Sequence, residues 1–324
     1  MRVGIAGICF ALLAGLAAAE PVLDLGAGMH LLPGSFLPER GPDGNTVILD
    51  APEGLIVVDT GRHVWHSDAI LAFASAQKRP IAAIVNTHWH LDHSSGNGRL
   101  KLAYPGARVF TTNAVDRVIA PGGFLARELE IEKPYLNDPS VSPTQREEIA
   151  IFIKTMEERD SLRPDVTIAK SGPMVLAGRT LDVRVTDKAV TDADVWLYDA
   201  KSGTAVIGDL VTLPAPFFET ACPRKWEAAL DEVWATPFKV AIPGHGEPMT
   251  REAFNTYRVA FGAFVDCMRS AKASDACAAD WVSGVGTLLG APKDDQRKRA
   301  LGMAEYYVKM LRANGGKSKD CLAE

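Results

Sequence analysis

Thr87-His88-Trp89-His90-Leu91-Asp92-His93 is the segment that constrains this chain most. It starts where the apolar run Ile81-Ala82-Ala83-Ile84-Val85-Asn86 stops, so a buried strand delivers three His and an Asp into the loop at its tip. Side chains two apart on extended backbone point to one side, which groups His88 with His90, while Asp92 and His93 face a second position. Imidazole and carboxylate are good zinc ligands, and two adjoining positions are the arrangement of a two-metal site. Three of the chain's seven His within six residues would be a costly cluster unless a cation neutralised it, so a polar strand edge with chance His is the weaker alternative.

The flanking sequence alternates strands with helices. Thr46–Asp50 and Leu55–Asp59 are β-rich runs around Ala51-Pro52-Glu53-Gly54 and predict a hairpin. Asp59-Thr60-Gly61 closes the second strand, and His66 to Gln77 reads as a helix. A helix near Ser95–Ala103, a strand at Arg108–Thr111 and a helix near Asn113–Ile119 follow the His cluster, giving an α/β class. Residues 121–164 interrupt this order with Ile149, Phe152, Ile153 and Met156 at helical spacing behind Ser142-Pro143, which predicts a helical insertion over or beside the sheet. Strands resume from Val166 to Ile207, and Phe238–Ile242 leads into Pro243-Gly244-His245-Gly246. From residue 251 to 324 the chain reads as a helical extension, with amphipathic stripes at Phe254, Tyr257, Phe261, Phe264, Val265 and Met268, then at Leu301, Ala304, Val308 and Leu311.

Residues 1–19 read as a secretory signal: Arg2, an uncharged apolar run from Val3 to Leu16, then Ala17-Ala18-Ala19 before Glu20. The run is short of the ~20 residues of a spanning helix, and no other segment is long enough, so no integral membrane association is expected. A periplasmic or secreted location follows. Export leaves Cys222, Cys267, Cys277 and Cys321, an even number without C-x-x-C spacing, which predicts structural disulfides of open pairing, with a free Cys222 near the metal as the alternative. With 47% apolar and 23% charged residues the chain is not a disordered one. Its 35 Lys and Arg against 40 Asp and Glu, with no basic block, argue against nucleic acid and say little more about partners, so that a small-molecule substrate is expected only through the resemblance below.

The His-rich segment followed by Gly96-Asn97 resembles the signature of the metallo-β-lactamase superfamily, and the resemblance runs in order from about Asn45 to about Thr250. Asp59-Thr60-Gly61 is similar to an early strand-end motif whose Asp supports a metal-binding His. Gly208-Asp209-Leu210 is similar to a later one whose Asp bridges two metals. Pro243-Gly244-His245-Gly246 is similar to the last, whose His completes the second metal position. The resemblance implies an αββα sandwich over residues 20–250, interrupted by the insertion. It implies a first zinc position from His88 and His90 with Asp209 shared, and a second from Asp92, His93, Asp209 and His245, Asp92 being also the candidate catalytic carboxylate. The third His of the first position is missing: Val190, in Lys188-Ala189-Val190-Thr191-Asp192, stands in its place. Asp187 or Asp192 could supply an oxygen instead, though loop Asp residues are usually turn formers. His63 and His66 read as solvated helix-start residues rather than substitutes.

One tight zinc ion and a weaker second are therefore expected. A single zinc lowers the pKa of bound water to ~7, so the implied activity is a secreted hydrolase using metal-bound hydroxide on a small ester, lactone, β-lactam or phosphoester. The alternative is a catalytically impaired metal-binding or accessory protein on the same fold, since fold membership names no substrate.

Overall fold

The central strands are apolar on both faces because each is covered on both sides. In Thr46–Ala51, Val47 and Leu49 point into one core and Ile48 into another; in Gly54–Val58, Ile56 and Val58 alternate with Leu55 and Val57 in the same way. The structure is a computed structural model that describes residues 21–289 and 294–321; the expected signal segment and Cys9 lie outside them. Seven strands form one sheet in chain order: β1 (Leu23–Gly26), β2 (Met29–Leu32), β3 (Thr46–Ala51), β4 (Gly54–Val58), β5 (Ile81–Val85), β6 (Arg108–Thr111) and β7 (Val166–Thr167). Pairing is antiparallel up to β4 and parallel beyond it. The second sheet has the order β13-β12-β11-β10-β9-β8, made of β8 (Gly172–Leu176), β9 (Arg179–Asp187), β10 (Ala193–Asp199), β11 (Thr204–Thr212), β12 (Val240–His245) and β13 (Met249–Thr250). Only β11 and β12 pair in parallel there.

Met29, Val47, Ile56 and Val85 of the first sheet share a core with Leu181, Val195, Val206 and Ile242 of the second, so the sheets are packed face to face. Helices α1 (Val64–Ala76), α2 (Leu91–Ser94) and α3 (Asn97–Ala103) follow the strands of the first sheet, whose outer face takes Ile70, Ala74 and Leu100. Next come α4 (Ala114–Ile119), α5 (Phe124–Glu132) and α6 (Pro143–Glu157), whose Val118, Leu125 and Phe152 pack on Trp89. The start of α6 is fixed by a capping box between Ser142 and Gln145, with Pro143 in the first turn. The outer face of the second sheet is covered by α7 (Pro223–Ala235), α8 (Arg251–Arg269), α9 (Ser274–Gly284) and α10 (Asp294–Ala313). Trp226, Phe254, Trp281 and Val308 form one core there with Trp196 and Ile207. This is the expected αββα sandwich. The cysteines form two pairs, Cys222–Cys321 and Cys267–Cys277, so Cys222 is not a free thiol beside the cluster. No helix among the described residues is long and apolar enough to cross a membrane.

His63 and His66 depart from expectation: they are 1% and 2% exposed, not solvated. The segment 33–44 and α6 cover the start of α1 and supply partners. His63 Nδ1 lies 2.8 Å from Asp43 Oδ2, and its Nε2 lies 3.0 Å from Glu148 Oε1. Asp43 Oδ1 also accepts from the backbone N–H groups of Arg62 and His63, and Glu148 accepts from Arg40 and the Gly41 N–H. His66 instead sits 2.8 Å from the Thr46 hydroxyl, and burial lowers its pKa to about 4. Burial alone would lower His63, but Asp43 and Glu148 hold it above the usual imidazole value. Burial alone would raise Glu148, but His63 and Arg62 hold it down at about 2, and His63 holds Asp43 low in the same way. The raised His stabilises below its unfolded value and loses that contribution as pH rises through its folded one. The lowered carboxylates stabilise above their unfolded values and lose it as pH falls. The network's contribution is therefore full between about pH 4.5 and about pH 6.5. Glu148→Gln is expected to cost about 3 kcal/mol in that window and less on either side of it. Urea unfolding from pH 3 to pH 9 checks this, and a constant difference between variant and wild type would contradict it.

Candidate functional site

Asp59, immediately after β4, has a left-handed conformation, φ +62°, rare for a residue with a side chain. The turn aims its carboxylate across the tip of β5. Asp59 accepts from Thr87 N–H and Thr87 Oγ1, both at 2.8 Å, and from His93 Nδ1 at 2.8 Å. Thr87 thus spends its one hydrogen on Asp59, so the 2.9 Å contact to His88 Nδ1 must be donated by His88. His88 Nε2 is left as a lone pair, buried and without a hydrogen-bond partner.

The second sheet brings Asp209, within β11, and His245, at the end of β12, to the same point. The β11–β12 register is irregular between Val206 and Thr212, which opens the ladder where Asp209 turns in. Two glycines make room for this approach: a Cβ at Gly244 would fall on Asp209 Oδ1, and one at Gly44 would fall on the His93 ring. The result is one buried cluster. His93 Nε2 lies 3.2 Å from Asp209 Oδ1, 3.3 Å from His245 Nε2 and 3.5 Å from Asp92 Oδ2. His245 Nε2 lies 3.0 Å from Asp92 Oδ2 and 3.6 Å from Asp209 Oδ1. His88 Nε2 lies 3.8 Å from Asp209 Oδ2. Donor atoms fall into two groups, His88–His90–Asp209 and Asp92–His93–His245, and Asp209 stands between them.

The charges do not balance within the cluster. Burial would lower His93, but Asp209, Asp92 and Asp59 hold it well above the usual imidazole range. Burial would raise Asp92 and Asp209, but His93 and His245 hold both well below the carboxylate range. His88 is pushed well down, and His90 down to about 4, chiefly by burial, so both stay neutral as metal ligands must be. Buried carboxylates and imidazole nitrogens converging on one point, with His88 Nε2 an unpartnered lone pair, are a donor set that fits a divalent cation, and N/O donors of this kind suit zinc.

Val190, expected to stand in place of a third His, does not face the cluster. The Val190 side chain packs in the outer core of the second sheet, and its N–H is tied to Asp194. Asp187 is exposed, and Asp192 is paired with Arg117, so neither carboxylate joins the cluster. The group on His90 Nε2 is the Thr220 hydroxyl at 3.0 Å. Thr220 donates to the Val190 carbonyl at 2.9 Å, so His90 Nε2 must itself donate to Thr220. Thr220 was not a candidate from sequence: a lone Thr 130 residues from His90 carries no signal.

A cavity of about 450 Å³ opens on this cluster and is lined by His90, Asp92, Asp209 and His245 at its floor. The model of the metallo-beta-lactamase superfamily matches residues 40–245, a span that holds every residue of the cluster. The chain belongs to that superfamily. A linear primary-alkylsulfatase from Pseudomonas sp. (strain ATCC 19151) is 26% identical over 220 residues, which are 63% of this chain and 41% of that enzyme, so the chain spans about two-fifths of that relative's length. Among solved structures, a metallo-beta-lactamase family protein from Thermus thermophilus is similar at TM-score 0.59 and 18% identity, over 90% of this chain and 95% of that one. A stereoselective inverting sec-alkylsulfatase from Pseudomonas sp. gives TM-score 0.59 and 16% identity, over 90% of this chain and 50% of that one. At these identities the solved structures show the shared fold alone.

The hydrogen-bond chain fixes two tautomers that nitrogen-15 NMR of the imidazoles can read without any metal present. His88 is expected to carry its proton on Nδ1 and His90 on Nε2. Thr220→Val should alter the His90 signals and leave those of His88 in place. A wild-type His90 protonated on Nδ1 alone would contradict the assignment.

Proposed function

We propose that this chain is an exported, zinc-dependent hydrolase of a small ester, lactone, β-lactam or phosphoester-type substrate. The observation that carries the reading is the cavity: its floor is the cluster itself, and a catalytic metal site needs an open position facing substrate. When bound, zinc supplies an acidified water at neutral pH and polarises the bond to be cleaved. Asp92, His93, Asp209 and His245 would hold the tight ion. His88, His90 and Asp209 would hold a weaker second one, because that position has two His of its own and shares Asp209 with the other, while Thr220 accepts the hydrogen bond of His90 Nε2 and leaves Nδ1 free. Asp59 orients His93 from behind and fixes which nitrogen faces the cluster. Asp92 has the most exposed side chain of the two donor groups and lines the cavity, so it is the carboxylate placed to take a proton from a reacting water. The two cysteine pairs support an oxidising compartment.

Dialysis against low free zinc followed by elemental analysis should find about one zinc per chain. His245→Ala should empty that position, His88→Ala should leave it largely filled, and Asp59→Asn should weaken it about 10–100-fold. A panel of chromogenic ester, lactone, phosphodiester, alkyl-sulfate and β-lactam substrates should show turnover that His245→Ala abolishes. Equal effects of the His245 and His88 substitutions would contradict the ligand assignment. Bound zinc with no turnover across the panel would favour a metal-binding accessory protein instead.

A further inference from the structure

The cavity above the cluster is walled by groups that neither the fold nor the ligand set requires. Its aromatic wall comes from Trp89, Phe124, Phe217 and Tyr307, with ring centroids 5.5 Å apart for Trp89–Phe124 and 6.0 Å for Phe217–Tyr307. Phe124 belongs to α5 and Tyr307 to α10, so the helical insertion and the C-terminal helices together close the space. Three carboxylates line the same cavity: Glu128 and Glu132 from α5, and Glu219 from the segment before α7. Among the described residues no Lys or Arg stands within 4.0 Å of any of them. Arg62, the Lys or Arg that lines the cavity, is paired with Glu148 at 3.3 Å, and Arg127, next to Glu128, is turned to Asp320 at 3.0 Å. Glu219 has the Tyr306 hydroxyl as a partner at 3.2 Å. Burial raises the pKa of Glu128 and Glu219, and the proximity of Glu219 and Glu132 raises Glu128 further. Trp89, 5% exposed, has an indole N–H with no partner in the wall of this cavity.

Aromatic faces attract cations, and unpaired, partly desolvated carboxylates among them reward a cation and reject an anion. We propose that the cavity selects an amphipathic cation, an ammonium or quaternary ammonium group joined to an aromatic or branched apolar body. The ammonium lies among Glu128, Glu132, Glu219 and the aromatic rings, and the hydrolysable bond faces Asp92 and Asp209. This assignment of substrate class rests on the hydrolase reading given above. An anionic amphiphile of the same length meets three carboxylates instead.

The test uses the full chain as isolated and three probes of one shape: trimethyl(3-phenylpropyl)ammonium, 3-phenylpropan-1-ol and 3-phenylpropane-1-sulfonate. The quaternary ammonium has no lone pair for zinc and the sulfonate coordinates metals poorly, so calorimetry reads the cavity walls. At low salt the ammonium is expected to bind at least about 10-fold tighter than the sulfonate. Glu219→Gln and Glu128→Gln should each reduce ammonium affinity by several-fold and leave the alcohol unchanged, which also shows that the variants are folded. Sulfonate binding as tight as ammonium in the wild type, or Gln variants with unchanged preference, would overturn the proposal. Turnover of neutral and anionic esters without any charge preference overturns it as well and leaves the hydrolase reading standing. A clear preference for the ammonium without turnover of any ester supports the cavity assignment and removes the hydrolase reading.

Discussion

The Asp59 carboxylate accepts three hydrogen bonds inside a fully buried site, and the donors that the first sheet contributes to the cluster are organised around it. Its backbone N–H donates to the Val85 carbonyl, its carbonyl accepts from Thr46 Oγ1, and its carboxylate holds Thr87 and His93. One residue thus ties β3, β4, the tip of β5 and α2 into a single geometry. The left-handed backbone needed for this costs about 1–3 kcal/mol and persists because the surrounding contacts determine it. Through Thr87 the same carboxylate fixes the His88 tautomer, and directly it fixes the His93 ring. Burial raises the pKa of Asp59 itself, and His93 and Thr87 beside it oppose that rise.

What could be read from the sequence follows from where the information is local. The His-rich segment, Asp59 and His245 sit at strand ends and Asp209 at a break in the β11–β12 ladder, so short motifs in a fixed order carry them, and the structure brings those side chains together. The sandwich class was legible for a similar reason: β3, β4 and β5 are apolar runs punctuated by turns. β1 and β2 were missed because four-residue strands, one of them exposed throughout, show no usable period. Contacts between distant segments were also out of reach. His63 meets Glu148 of α6 from 85 residues away, His66 meets Thr46 of β3, and both are core residues rather than solvated ones. The direction of the Val190 side chain is likewise set by core packing that the local sequence does not show, and the Thr220 hydroxyl that meets His90 Nε2 comes from 130 residues away.

The fold and the additions to it have different tasks. The two sheets supply a floor of converging donors whose spacing depends on bare glycine backbone at Gly44 and Gly244. α5, α6 and α10, with the segment before α7, supply walls of aromatic and acidic side chains. On the proposed reading, chemistry belongs to the floor and selectivity to the walls. The buried His63–Asp43–Glu148 network joins these parts, since Asp43 precedes Gly44 beneath the His93 ring and Glu148 lies on α6. Sequence change in the walls can then alter which molecule enters without disturbing the donors.

On the proposed reading the cluster is an unequal metal centre in which Asp92, His93, Asp209 and His245 form the stronger position. Anomalous diffraction at the zinc edge, from crystals of protein equilibrated with one equivalent of zinc, locates the ion directly. The expected result is a dominant peak within bonding distance, near ~2.1 Å, of those four side chains, with little or none between His88 and His90. A peak of equal height at both positions, or a dominant peak on His88 and His90, would contradict the claim.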